Sequence, residues 1–172
     1  MADDLYLIDS NVLLTPYHLY YPPDLAPGFW KQMKKHIESG KIILLDLVKE
    51  EIDAKDDGLS DWLNGLKIKH LIQYDKDEMT FCFSDINRYI GECGYYVTDK
   101  ALAEWNHPSA DPWLVAAAHL YGYNLVTLEI ANPNLGDGYL RKKAKIPDLC
   151  DKFNFRCCNL LTMMRELSIM LG

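Results

Sequence analysis

The chain has 172 residues, 49% of them hydrophobic and 25% charged, a composition typical of a globular protein that argues against a disordered chain. Its formal net charge of −7 is unfavourable for a protein that binds nucleic acid through a broad basic surface, because phosphates attract cations. The longest apolar run, residues 113–126, is interrupted by polar side chains and glycine, and the N-terminus lacks a signal pattern, so we expect a cytoplasmic protein without a membrane span.

Apolar runs of strand length alternate with segments of helical period in the first half of the chain. Strands are predicted over residues 5–9 and 41–46, and the segment 15–28, rich in proline and tyrosine, predicts a loop. Gly40 is predicted to end a helix and Ser60 to cap another. The helices predicted in this half cover residues 29–38, 47–55, 60–67 and 77–94.

The second half continues the alternation. Its clearest predicted helix covers residues 109–122, with Pro112 in the first turn and Gly122 at the end. Strands are predicted over residues 124–129 and 155–158. Shorter helices are predicted over residues 98–105, 146–153 and 160–171. Strands that alternate with helices predict an α/β protein with a central parallel sheet, and we expect one domain over residues 1–172.

The five cysteines do not form a recognisable framework, because their number is odd and no secretory signal precedes them. Cys150, Cys157 and Cys158 raise the question of zinc, but the chain has no CxxC pair of the kind found in structural zinc sites. We interpret these side chains as buried thiols that pack like small hydrophobic groups.

Acidic side chains lie at or near the carboxyl ends of the predicted strands and at the starts of neighbouring helices. Asp9 follows the first strand, and Glu51 lies in the helix after the second. Asp111 begins the helix before the third strand, and Glu129 ends that strand. Ligands of parallel sheets bind at the carboxyl ends of the strands. Carboxylates that converge there repel one another unless protons or cations intervene, and their oxygen atoms suit Mg²⁺ or Mn²⁺.

Each acid taken alone has a simpler explanation. Asp9 could end its strand in a turn, Asp111 could cap a helix, Glu51 could be a solvated helix residue and Glu129 could begin a loop. The joint pattern favours a shared site, because an acid stands at each place that this architecture directs inward.

Four motifs occur in a fixed order: YLIDSN from residue 6, V-x-E-E-I from residue 48, ADPWLVAAA from residue 110 and VTLE from residue 126. In this order they resemble a PIN domain, and the resemblance extends from Leu5 to about Cys158. It implies a three-layer α/β/α fold with a central parallel sheet. It also implies an acidic site that binds Mg²⁺ or Mn²⁺ and cleaves RNA, or sometimes structured DNA, with 5′-phosphate and 3′-hydroxyl products.

The resemblance assigns catalytic and metal-binding roles to Asp9, Glu51, Asp111 and Glu129. The family often has T-x-D at the last position, whereas this chain has T-x-E, so direct or water-mediated metal contact by Glu129 stays open. Supporting roles around the ligands are expected for Ser10, Asn11 and Thr127. The basic side chains expected to follow an RNA backbone are those of Arg141, Lys142, Lys143 and Lys145.

Many bacterial members of the resembled family are VapC-type toxins of toxin–antitoxin pairs. The resemblance therefore implies a metal-dependent endoribonuclease, with an antitoxin and a homodimer as possible partners. This chain is longer than such toxins, with extra length around residues 60–105 and 141–150, and resembles a branch without an assigned substrate.

Three other functions compete with the nuclease interpretation. An aspartyl-phosphate phosphatase needs a second Asp two residues after its nucleophile, and Asn11 occupies that place after Asp9. A phosphorylation receiver needs paired acids at a strand end, whereas Asp3 and Asp4 precede the strand. The rival from another class is a catalytically silent PIN-like interaction module, whose acidic surface would suit a basic partner.

Overall fold

The computed structural model describes residues 4–92, 103, 109–131 and 144–171. These residues form an α/β fold with helices on a central, entirely parallel sheet, as the alternating pattern predicts. The strands are β1 (Tyr6–Ile8), β2 (Ile42–Leu45), β3 (Leu71–Ile72), β4 (Asn124–Val126) and β5 (Cys157–Cys158). The architecture is that of a three-layer α/β/α fold.

The helices between the strands account for most of the described secondary structure. A π-helical turn, Pro16–Tyr20, directly follows the first α-helix, which ends at Thr15. The α-helices are α1 (Asn11–Thr15), α2 (Pro27–Ser39), α3 (Asp46–Asp53), α4 (Gly58–Asn64), α5 (Asp77–Glu92), α6 (Asp111–Tyr121), α7 (Ile146–Cys150) and α8 (Leu160–Glu166). In the part of the chain that the structure describes, none of these helices has the length and apolar character needed to cross a membrane.

The central strands and helix α6 form the middle of the hydrophobic core. Every residue of β2 is buried, as is every residue of β1 and β4. Strands covered on both faces need apolar side chains at successive positions, which explains why they are continuous hydrophobic runs in the sequence. In α6 the residues from Leu114 to Ala118 have no exposed surface, so this helix is held firmly against its surroundings.

The strand order is β3-β2-β1-β4-β5. From β1 the chain builds the sheet outward through β2 and β3, and then returns to the other side of β1 with β4 and β5. The order therefore reverses between β1 and β4. In open parallel sheets a crevice forms at such a reversal, beyond the carboxyl ends of the two strands. Residues that follow β1 and β4 are thus directed toward one crevice.

Two local predictions are wrong. The segment 15–28 was expected to be a loop, but its first residues continue α1 into the π-helical turn, and Pro27 occupies the first position of α2. Proline is tolerated in a first helical turn, where its missing N–H has no helical partner. Ser60 does not cap α4, because the Asp57 side chain accepts hydrogen bonds from the Leu59 and Ser60 N–H groups.

Other differences concern the ends of elements. Strand β4 ends at Val126, so Thr127 and Glu129 follow the strand instead of ending it. The helix predicted over residues 98–105 lies, apart from Ala103, outside the described residues. The described cysteines, Cys82, Cys150, Cys157 and Cys158, are half-buried free thiols. Burial raises the pKa of Cys157 to about 12.

Candidate active site

Asp9 lies at the crevice between β1 and β4. Its N–H donates to the Val126 carbonyl at 3.0 Å, which extends the pairing of the two strands by one residue. The residue is only 3% exposed. Its Oδ2 accepts a hydrogen bond from the Thr127 hydroxyl at 3.0 Å, and its Oδ1 accepts one from the Ser10 hydroxyl at 3.3 Å. Among the described residues no Lys, Arg or His forms an ion pair with this carboxylate.

The electrostatic surroundings of Asp9 oppose its negative charge. Burial, followed by repulsion from Asp111, raises the pKa of Asp9 to about 6 from an ordinary value of 3.8. The hydrogen bond from Thr127 acts in the opposite direction, and smaller repulsions come from Glu129 and Glu51. The fold therefore brings the predicted acids close enough to interact, with Asp9 at the most buried position.

Glu51 and Asp111 lie on helices that meet beside Asp9. Glu51 is half-buried on α3, and its Oε1 accepts a hydrogen bond from the Ala110 N–H at 3.3 Å, one residue before Asp111. The Asp111 N–H in turn donates to the Ser109 hydroxyl at 3.3 Å. The bond between Glu51 and Ala110 connects α3 to the start of α6, so Glu51 and Asp111 belong to one region.

Glu129 is held by residues that are distant in the sequence. Its N–H donates to the Thr127 hydroxyl at 3.1 Å. Its Oε1 lies 2.5 Å from the Lys145 ammonium nitrogen, and its Oε2 accepts a hydrogen bond from the Ile146 N–H at 2.9 Å. The sequence indicated Lys145 as a contact for RNA, but not as the partner of Glu129.

The remaining predicted residues divide into three groups. Ser10 is buried, and its hydroxyl donates to Asp9. Asn11 is exposed at the start of α1 and lines a separate cleft of about 480 Å³ together with His18 and Lys55. Arg141, Lys142 and Lys143 lie outside the described residues.

A second cleft, of about 450 Å³, opens directly beside Thr127 and Glu129. Pro147, Cys157 and Asn159 are among the residues on its other sides. Glu129 therefore borders this cleft, whereas Asp9, Glu51, Asp111 and Lys145 are not among its lining residues.

Residues 6–171 match the family described as "Domain of unknown function (DUF4411)". The chain belongs to this family. No curated protein matches the chain. Because the description of DUF4411 names no activity, the function of this DUF4411 chain has to be argued from its site.

The donor chemistry of the DUF4411 site fits a hard divalent cation. Asp9, Glu51 and Asp111 supply carboxylate oxygens, and the buried Asp9 has hydroxyl donors but no cationic partner in the described ranges. Over those same ranges, no three His, Cys, Asp or Glu side chains already form a group that could hold a metal ion. The match with a cation thus rests on ligand type and charge.

Proposed function

We propose that this DUF4411 protein is a metal-dependent nuclease that hydrolyses phosphodiester bonds, most simply an endoribonuclease in the cytoplasm. The observation that carries the proposal is Asp9, a buried carboxylate at the reversal of strand order whose charge is opposed by Asp111, Glu129 and Glu51. A buried carboxylate without a cation is costly, and a site for a divalent ion explains why the fold retains one.

In this proposal Asp9, Glu51 and Asp111 hold one or more Mg²⁺ or Mn²⁺ ions, with Glu129 beside them. A divalent ion supplies a water of lowered pKa and offsets negative charge on the phosphate. Thr127 keeps Asp9 in position, because its hydroxyl donates to Oδ2 of that side chain. The resemblance to PIN domains supports RNA as the substrate, while an antitoxin and a homodimer stay predictions.

The test is cleavage of a 5′-labelled single-stranded RNA in Mg²⁺ or Mn²⁺ by the wild type and by the Asp9→Asn, Asp111→Asn and Glu51→Gln variants. We expect products with 5′-phosphate and 3′-hydroxyl ends. Each variant should lose at least about 100-fold in rate, since even the outer partners of metal ligands contribute 10–100-fold. Glu50→Gln is the matched control, because Glu50 is the exposed neighbour of Glu51 on α3.

Two results would contradict the proposal. Equal cleavage by the wild type and Asp9→Asn would mean that the activity comes from a contaminant. Absence of cleavage by a folded, metal-loaded wild type would favour the interaction module, in which the acids serve a basic partner instead.

A further inference from the structure

The carboxylate of Glu129 has a partner on each of its two oxygen atoms. Oε1 binds the Lys145 ammonium at 2.5 Å and Oε2 binds the Ile146 N–H at 2.9 Å. The Glu129 side chain is only 17% exposed, so little of it is open to solvent. A glutamate is one methylene longer than the aspartate usual at this position of PIN domains, and in this chain it reaches the start of α7.

Lys145 is held in a defined position as well. The backbone N–H of Lys145 donates to the Asp148 carboxylate at 2.8 Å, which fixes the backbone at the start of α7. The hydrogen bond to Glu129 raises the pKa of Lys145, and the charge of Asp111 adds to that effect, so the ammonium lies within the field of the acidic site. The side chain remains 41% exposed. An ammonium has three donors, of which Glu129 accepts one, so others can face a ligand.

We propose that Glu129 is a positioning residue that presents Lys145 to the scissile phosphate, and that the site takes one divalent ion with Lys145 as its second cationic group. This inference rests on the proposed nuclease function and specifies the site further. A second ion would need carboxylate ligands of its own, but Glu129 already binds Lys145, whose ammonium repels a dication. Lys145 stabilises negative charge on the phosphoryl oxygens, a role that a fixed ammonium performs without metal.

The first test counts ions by titrating Mn²⁺ into wild type, Glu129→Gln and Asp9→Asn in a calorimeter. We expect one ion per wild-type chain, a dissociation constant within about threefold for Glu129→Gln, and no binding by Asp9→Asn. Gln retains an oxygen that accepts from Ile146, and circular dichroism checks the fold. Glu38→Gln is the matched control, because Glu38 pairs with Lys34 at 3.9 Å on α2.

The second test measures the contact with phosphate without metal. A fluorescein-labelled single-stranded RNA 20-mer is titrated in EDTA at several salt concentrations against wild type, Lys145→Met, Lys145→Arg and the control Lys34→Met. Loss of one phosphate contact should lower the slope of log K against log salt by about 0.7 for Lys145→Met. Lys145→Arg keeps the charge and should retain the wild-type slope, whereas a purely structural role of Lys145 predicts an unchanged slope for Lys145→Met as well.

The outcomes separate this inference from the proposed function. Two Mn²⁺ ions per wild-type chain, loss of Mn²⁺ by Glu129→Gln, or an unchanged slope in Lys145→Met each overturns the inference while RNA cleavage still supports the nuclease. A wild type that binds no Mn²⁺ and cleaves no RNA overturns both.

Discussion

Asp9 combines three properties that a structural residue seldom has together. It is 3% exposed, it directly follows the central strand of the sheet, and nearby acids repel its charge. Buried carboxylates usually find a cation or several donors, because an unpaired charge in the protein interior is costly. At the scale of the single residue, this unfavourable placement supports the proposed metal-binding role of Asp9 over that of a turn residue.

The unfavourable burial of the Asp9 charge predicts that the stability of the metal-free protein depends on pH. A pKa raised from 3.8 to about 6 on folding means that the folded state holds the proton more tightly than the unfolded state. The free energy of unfolding should therefore fall by up to about 3 kcal/mol as pH rises through this window, and it should stay constant at higher pH. Asp9→Asn avoids this loss. In EDTA, urea unfolding should give the variant an advantage that grows between pH 4 and about pH 6 and then stays constant to pH 7.5, and a difference independent of pH would contradict the prediction.

Thr127 offers a second residue-scale prediction, since its hydroxyl donates to Asp9 and accepts from the Glu129 N–H. Thr127→Val removes both bonds and leaves an N–H unsatisfied, so the free energy of unfolding should fall by about 1–3 kcal/mol. Thr127→Ser retains the hydroxyl and should lose less than Val does. Urea titrations of the two variants make the comparison, and a loss for Thr127→Ser as large as that for Thr127→Val would contradict the prediction that the hydroxyl bonds dominate.

The sequence located the acids but not the partner of Glu129. Asp9 and Glu129 could be predicted to face one crevice because strand ends of a parallel sheet lie along one edge. The bond between Glu129 and Lys145 joins residues 16 positions apart, and no local pattern specifies it. The RKKAK run indicates Lys145 by its charge alone, whereas its contact with Glu129 is set by tertiary structure.

At the scale of elements, the ends of helices can be predicted where the terminal conformation strongly favours one residue type. Gly40 and Gly122 end α2 and α6 with φ values of 83° and 70°, the left-handed region that glycine adopts without strain. Segment 15–28 was harder, because its prolines fit a loop as well as a first helical turn. The strand predicted over residues 155–158 is confirmed as β5 at Cys157–Cys158. Strand β3 has only two residues and depends on its pairing with β2, which the local sequence does not reveal.

The two helix-ending glycines form a matched pair of tests. A methyl group on Gly40 would lie 2.7 Å from the His70 Cδ2 atom, whereas one on Gly122 would meet nothing within 4 Å among the described residues. Gly122→Ala should cost only the left-handed backbone strain, about 1–2 kcal/mol. Gly40→Ala should cost at least about 1 kcal/mol more, because His70 has to move. Thermal unfolding of both variants gives the difference, and equal costs would show that His70 moves without penalty.

For the whole molecule, strand order decides what the separate elements can do together. The order β3-β2-β1-β4-β5 brings the ends of β1 and β4 to one crevice and places α3 and the start of α6 beside it. The alternating sequence predicted parallel strands but not this order, which long-range pairing sets. The net charge of −7 now has a local counterpart, since several of the acids gather at this crevice.

A divalent ion at the crevice should reverse the stability ranking of the wild type and Asp9→Asn. In EDTA the variant is expected to be the more stable protein at pH 7.5, because it lacks the buried charge. Mn²⁺ at 100 times its dissociation constant should stabilise the wild type by about 2.7 kcal/mol, which raises its Tm by about 5–10 °C. Asp9→Asn should gain almost nothing, while Glu50→Gln should follow the wild type. Thermal melts with and without Mn²⁺ test the reversal. Equal gains in wild type and Asp9→Asn would mean that the ion binds elsewhere, and the buried carboxylate would then need another explanation.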